Sequence, residues 1–396
     1  MTMKAKLIKT KESPSITSKA KRDQPWMNRL FYWDNQIVAH AGKFFFMVNL
    51  RKETAVPIHF VGNRDLVSLT TALGKPYALG KEGDSYVLFS RSGKYDWKRM
   101  LVPPITRKEY LNSHPLSKRE MDMMFIPPDR NESEVDEYFA AVGSDRHLVI
   151  LGKTSFALYD GNSWISRGYS RIFHPHYGDK YCIWKGAVYV GRNCGEFGGG
   201  LYALNLSTGK WRKEKSFFLK PVTDVLVGPD KALWVVCGLS HLGSISGRLS
   251  QITEKGVLDL LNVSGFFERR EADSSWTHAP ASFAALSFNE RREPLLLTEH
   301  LGIMVKRGDQ WERLTSKWLY HAYLTSLLVI NSEQYLIGTF DAGLLFLDTR
   351  QNKEKIIRFA TSFFEWEGKE DIINPREDSK LINRGIVKGS PYSVSW

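Results

Sequence analysis

Three carboxylates stand in glycine-bearing turns: Glu196 in GRNCGEFGGG (191–200), Glu299 in TEHLG (298–302) and Asp341 in TFDAG (339–343). If those turns meet in space, their hard anionic oxygens suit a divalent cation. His241 in GLSHLGSISG (238–247) and His300 stand in turns of the same kind. Lys81 and Glu82 in GKEGD (80–84), Lys153 in GKT (152–154) and Arg192 supply further charge for an acidic or polar ligand. His174 and His176, two apart in SRIFHPHYGDK (170–180), have the spacing to share a metal, but no third ligand is spaced to complete that set. Each of these residues also has a plainer reading, as the ordinary polarity of surface loops. The chain contains no GxSxG, HExxH or P-loop pattern. The glycines of GEFGGG lie in a hairpin and not between a strand and a helix, where a phosphate would be cradled. Nothing adjacent in sequence activates the Cys194 thiol.

The elements that must carry these turns repeat. Apolar runs follow glycine-bearing turns at KFFFMVN (43–49), SYVLFSR (85–91), SFALYDG (155–161), GLYALNL (200–206), GRLSQIT (247–253), GIMVKRG (302–308) and GLLFLDT (343–349). Four of them lead through a polar turn to a tryptophan: Trp97, Trp164, Trp211 and Trp311. Val257 and Lys355 take that place in two other units. Successive spacings are 67 (97 to 164), 47 (164 to 211), 46 (211 to 257), 54 (257 to 311) and 44 (311 to 355). The 67 contains one polar insertion, 104–136, whose LSKREMDMMF reads as a short helix presenting Met121, Met123, Met124 and Phe125 to a partner or to the channel. A period in the 40s with four short strands per unit is the signature of propeller blades.

Seven units fit, so the expected fold is all-β: a seven-bladed β-propeller of four antiparallel strands per blade, with one partly helical insertion. Runs such as LLFL (344–347) are apolar at consecutive positions, as strands buried on both faces require. The tryptophans read as anchors packed between blades. The domains are then a disordered basic tail (1–25), the propeller (26–360) and a C-terminal extension (361–396). Part of the extension, GIVKG or YSVSW, is expected to pair with a terminal blade; a partial eighth blade is the alternative. In such a ring the connections from second to third strand and from one blade to the next lie on one rim. That rim carries the candidate residues.

GTFDAGLLFLD (338–348) and VYVGRNCGEFGGGLYALNLSTGKW (188–211) resemble the repeats of bacterial two-component-regulator propellers. These read as a strand ending in Gly-Thr, a short turn, Gly-Gly-Leu-aromatic, Asp or Asn, and a Thr-Gly-Lys-Trp-like turn. The resemblance implies the propeller fold. The signalling role of that family goes with transmembrane and kinase segments that this sequence does not show, so the role is not carried over.

The chain is 396 residues, 42% hydrophobic, with formal charge +12; residues 1–23 hold seven Lys or Arg against two acids. That tail allows nucleic acid as a partner, or serves solubility. No apolar run approaches the roughly 18 residues of a membrane span. The start lacks a signal-peptide core, and three cysteines without CxxC spacing argue against a disulfide framework; a cytoplasmic location is expected. The functional expectation is a binding module that takes a protein or small polar ligand on its loop rim, without a cofactor. The alternative is a lactonase-like hydrolase in which a divalent cation assists.

Overall fold

The computed structural model describes residues 27–41, 44–51, 54–58, 65–91, 97–103, 137–169, 178–241, 244–266, 281–299, 301–315, 323–339, 343–351 and 353–357. The basic tail, the insertion 104–136 with its expected helix, and the extension 361–396 lie outside them.

The described residues form seven antiparallel four-stranded sheets, each continuous in sequence. Blade 1 holds β1 (Met27–Trp33), β2 (Gln36–Ala41), β3 (Phe44–Asn49) and β4 (Thr54–Pro57). Blade 2 holds β5 (Asp65–Ala72), β6 (Lys75–Glu82), β7 (Ser85–Arg91) and β8 (Trp97–Leu101). Blade 3 holds β9 (Tyr138–Gly143), β10 (Leu148–Gly152), β11 (Ser155–Tyr159) and β12 (Trp164–Gly168). Blade 4 holds β13 (Lys180–Trp184), β14 (Ala187–Asn193), β15 (Gly199–Asn205) and β16 (Trp211–Lys213). Blade 5 holds β17 (Val222–Val227), β18 (Leu233–His241), β19 (Ser244–Thr253) and β20 (Gly256–Phe266). Blade 6 holds β21 (Phe283–Phe288), β22 (Pro294–Thr298), β23 (Gly302–Arg307) and β24 (Gln310–Arg313). Blade 7 holds β25 (Leu324–Val329), β26 (Gln334–Thr339), β27 (Leu344–Asp348) and β28 (Lys353–Ile357). The seven-bladed propeller read from the period is therefore the fold. Two single 3-10 turns, Gly195–Phe197 and Lys215–Phe217, are the helical elements among the described residues. No described helix is long and apolar enough to cross a membrane.

Burial follows the sequence pattern. LVILG of β10 is buried at every position, whereas WISRG of β12 and QWER of β24 alternate toward solvent. Inner strands are thus covered on both faces and outer strands on one. The tryptophans of the outer strands reach back to the preceding blade. Trp97 stacks on Trp33 of blade 1 at 5.8 Å, and Trp211 meets Tyr169 of blade 3 edge-on at 5.4 Å. Trp311 packs with Trp234 and Leu249 of blade 5, and half-buried Trp164 packs with Tyr77 and Leu79 of blade 2.

Glycine at the end of the second strand marks a close approach of the next blade. A β-carbon on Gly238 would lie 2.0 Å from the Phe283 carbonyl oxygen, and one on Gly191 2.5 Å from Val222 Cγ1. This corrects one expectation. Residues 238–247, read as a loop because glycines bound them, continue as β18 and β19 and form an extended hairpin. Gly238 and Gly247 sit there to let blade 6 in, not to bend the chain; a β-carbon on Gly247 would lie 2.4 Å from the Ala281 carbonyl oxygen.

Candidate functional site

The rim that carries the strand-two to strand-three connections also bears the entries to the inner strands. Thr298 and Thr339 close two of these connections with their hydroxyls, donating to the Gly302 and Gly343 carbonyls at 3.0 and 2.9 Å. The threonine of the repeat motif therefore builds the turn.

Several predicted rim residues are engaged within the rim. Arg192, on β14, clasps buried Asp179 with two bonds of 3.0 and 2.7 Å. Lys153 pairs with Glu137. Glu82 pairs with Arg99 at 2.8 Å, and the Lys81 ammonium lies 5.8 Å from the centre of the Tyr86 ring. Exposed Glu196 sits in the 3-10 turn of blade 4, and His241 ends β18. Glu299 follows β22; its backbone N–H donates to Ser282 at 3.0 Å. Burial pushes the Glu299 carboxyl up, and hydrogen bonds from the Ser282 and Ser240 hydroxyls oppose that shift. The structure thus brings Glu299 together with Ser240 of blade 5 and Ser282. His174, His176, His300 and Asp341 lie outside the described residues. No group of three His, Cys, Asp or Glu able to hold a metal occurs among the described residues.

Two features were missed from sequence. The first is axial. Lys180, at the start of the inner strand β13, donates from Nζ to the Thr325 carbonyl of blade 7 at 3.1 Å, so it spans the channel. Burial pulls its ammonium down to about 8; Asp224 of blade 5 works against that and Arg29 of blade 1 adds to it. Asp224 is itself fixed, accepting from the Val225 and Leu286 backbone N–H groups at 2.9 and 3.0 Å. Burial likewise pushes up the thiol of Cys182, two residues along β13. These residues lie in strands, and attention to loops passes over them.

The second feature lies on the rim between blades 4 and 5. Phe197, Phe218 and Leu219 are 83%, 56% and 58% exposed. They sit together because the turn after Phe197 lands on the second segment: a β-carbon on Gly198 would be 3.2 Å from the Leu219 carbonyl oxygen. Gly195 and Gly198 hold φ at 60° and 93°, which lets the turn fold back so tightly. The Lys213 ammonium lies 4.0 Å from the centre of the Phe218 ring, and Lys215 and Lys220 are exposed beside it. The sequence signal was KSFFLKP (215–221), two aromatics and a leucine between lysines.

No family model matches the chain, and no curated protein matches it. Among solved structures it is similar to the extracellular domain of the putative hybrid two component system BT4673 from B. thetaiotaomicron, at 11% identity and TM-score 0.45, over 85% of this chain and 39% of that one. It is similar to YCF48 bound to D1 peptide at 10% identity and TM-score 0.46, over 83% of this chain and 94% of that one. It is also similar to the GH74 enzyme of Niastella koreensis at 8% identity and TM-score 0.49, over 83% of this chain and 53% of that one. The chain spans about two fifths of the BT4673 domain. At these identities the likeness concerns fold alone, and the fold itself rests on the strand topology above.

Proposed function

We propose that this propeller is a binding module that takes a polypeptide segment with acidic and apolar side chains on the rim between blades 4 and 5. One observation carries the reading: Phe197, Phe218 and Leu219 are exposed together beside Lys213, Lys215 and Lys220. Exposed aromatics in one place, edged by one sign of charge, match the composition of protein-binding surfaces. The rigid blades hold the patch, and the chain's charge of +12 favours an acidic partner.

The test is an array of 12-residue peptides that alternate apolar residues with either Asp/Glu or Lys/Arg. The protein should retain the acidic set selectively. The double variant Phe197→Ser with Phe218→Ser should lose that retention while melting normally, and Ile165→Ser, an exposed control on β12, should keep it. Equal retention by wild type and the double variant would overturn the reading.

A further inference from the structure

Three lysines edge the exposed patch between blades 4 and 5, and they are not held alike. Lys215 and Lys220 stand on the connection after β16, where both are exposed. Lys213 belongs to β16 itself, half-buried and opposite Tyr202 of β15. Its ammonium reaches two rings, 5.4 Å from the centre of Tyr202 and 4.0 Å from that of Phe218. The last glycine of GEFGGG makes room for this: a β-carbon on Gly200 would lie 3.2 Å from the Tyr202 ring and 3.5 Å from Lys213 Cε. Ring faces attract a cation without cancelling its charge, and the ammonium keeps hydrogens to donate. Glu214, next along the chain, accepts from Arg212 at 2.9 Å, and among the described residues no carboxylate pairs with Lys213. The turn before Phe218 is tied down from blade 5. Arg248 donates to the Ser216 carbonyl at 2.6 Å and lays its guanidinium 4.7 Å from the centre of the buried Phe217 ring. Asp259 holds that guanidinium in turn, at 2.8 Å.

We propose that Lys213 determines what this rim accepts: it takes a side-chain carboxylate that stands directly beside a large apolar residue in the partner segment. This role rests on the polypeptide-binding reading above; it names the cation that selects the acid and the kind of residue that must accompany it. Pre-organisation separates Lys213 from its neighbours. Ordering a free lysine side chain on binding costs rotamer freedom, and Lys215 and Lys220 bear that cost in full. Lys213 has its stem against Gly200 and its ammonium at two rings before any partner arrives. Position sets the second requirement. A carboxylate that meets this ammonium comes down against the Phe218 ring, with Leu219 next in the chain and Phe197 on the adjoining turn. The residue beside the acid then covers exposed apolar surface, and excluding water there strengthens the charge pair. An acid among polar neighbours leaves that surface wet.

Fluorescence anisotropy on the full chain tests this, with labelled peptides capped at both ends. Each peptide holds the same Glu and Leu residues, either side by side or in separate halves among Ser and Gly. Wild type should bind the side-by-side set about 10-fold or more tightly than the separated set. Lys213→Met keeps the stem and removes the charge. It should melt like wild type and bind the side-by-side set about 10-fold more weakly. Lys213→Glu should turn the preference toward peptides in which Lys replaces Glu, which lost packing alone would not do. Lys215→Glu and Lys220→Glu should each weaken binding less, by roughly fivefold or under, as exposed pairs do. Lys255→Glu, at the exposed turn between β19 and β20 on the opposite rim, is the charge-matched control and should bind as wild type does. A wild type that binds neither set overturns the rim reading, and this role with it. A wild type that binds while Lys213→Met binds equally well overturns the role of Lys213 alone. So does equal binding of the two peptide sets, since the acid would then need no apolar neighbour.

Discussion

Leu219 holds φ at 54°, a conformation that costs an L-residue with a β-carbon about 1–2 kcal/mol, and exposes its side chain as well. Neither feature serves the blades, and together they suit a residue kept for contact. Leu219→Gly should relieve the strain, less the roughly 0.5–1 kcal/mol that glycine loses in ordering. Urea unfolding should therefore show stability unchanged or raised, by up to about 1 kcal/mol, while acidic-peptide retention falls. A clear loss of stability would mean that the side chain packs. Lys180 offers a second residue-scale test. Folded, its ammonium releases the proton at about 8; its ordinary value is 10.5. Below about 8 both states are protonated, and burying the charge costs about 3 kcal/mol. Between the two values the unfolded chain holds a proton that the folded one lacks, so this contribution to stability rises with pH. Lys180→Met should thus gain most over wild type near pH 7, and the gain should shrink as pH rises from 8 to 10. A difference that does not change with pH would place the ammonium in water.

Blades 4 and 5 each admit the next blade at a glycine of the second strand. At Gly238 the next inner strand passes so close that a β-carbon would meet the Phe283 backbone at 2.0 Å. Backbone cannot give way as a side chain can. Gly238→Ala should therefore cost about 3 kcal/mol or more in urea unfolding, at or above the upper end of ordinary overpacking. Gly178 has open space around the same added carbon and no left-handed φ, so Gly178→Ala should be neutral to slightly stabilising. If both variants unfold alike, the blades are more loosely packed than this geometry requires.

The ring closes between blades 1 and 7 through side chains. Each of those blades is four strands from one stretch of chain, and no described strand is shared between them. Leu30, Ala39 and Phe46 pack against Leu328, Leu336 and Leu344, and the Tyr32 hydroxyl donates to the Val329 carbonyl at 3.3 Å. Six blade interfaces are reinforced by the chain running on from one blade to the next. Among the described residues no chain runs across this one, so it should open first. Leu336→Ala should cost about 2–5 kcal/mol, and hydrogen exchange should rise first in β1–β4 and β25–β28. A uniform rise around the ring would show that it unfolds as one unit.

The strand period, the consecutive apolar runs and the recurring tryptophans were legible in the sequence because a blade's inner strands are covered on both faces. Seven successive units of four strands permit few other solutions, and Trp97, Trp211 and Trp311 lie between blades. Of the rim residues, Lys81, Glu82, Arg192 and His241 stand on second strands and not in turns, and the partners of the described ones were not legible. Arg192 is committed to Asp179, and Glu299 to Ser240 of the neighbouring blade, through contacts that exist only once the chain has turned back on itself. For the same reason Lys180 looked like any strand lysine, although its ammonium reaches Thr325, 145 positions away. Local pattern determined the repeating blade, since each strand's burial is a property of its own period. Which side chains meet across the axis and at the rim depended on ring closure, which joins residues that no local spacing connects.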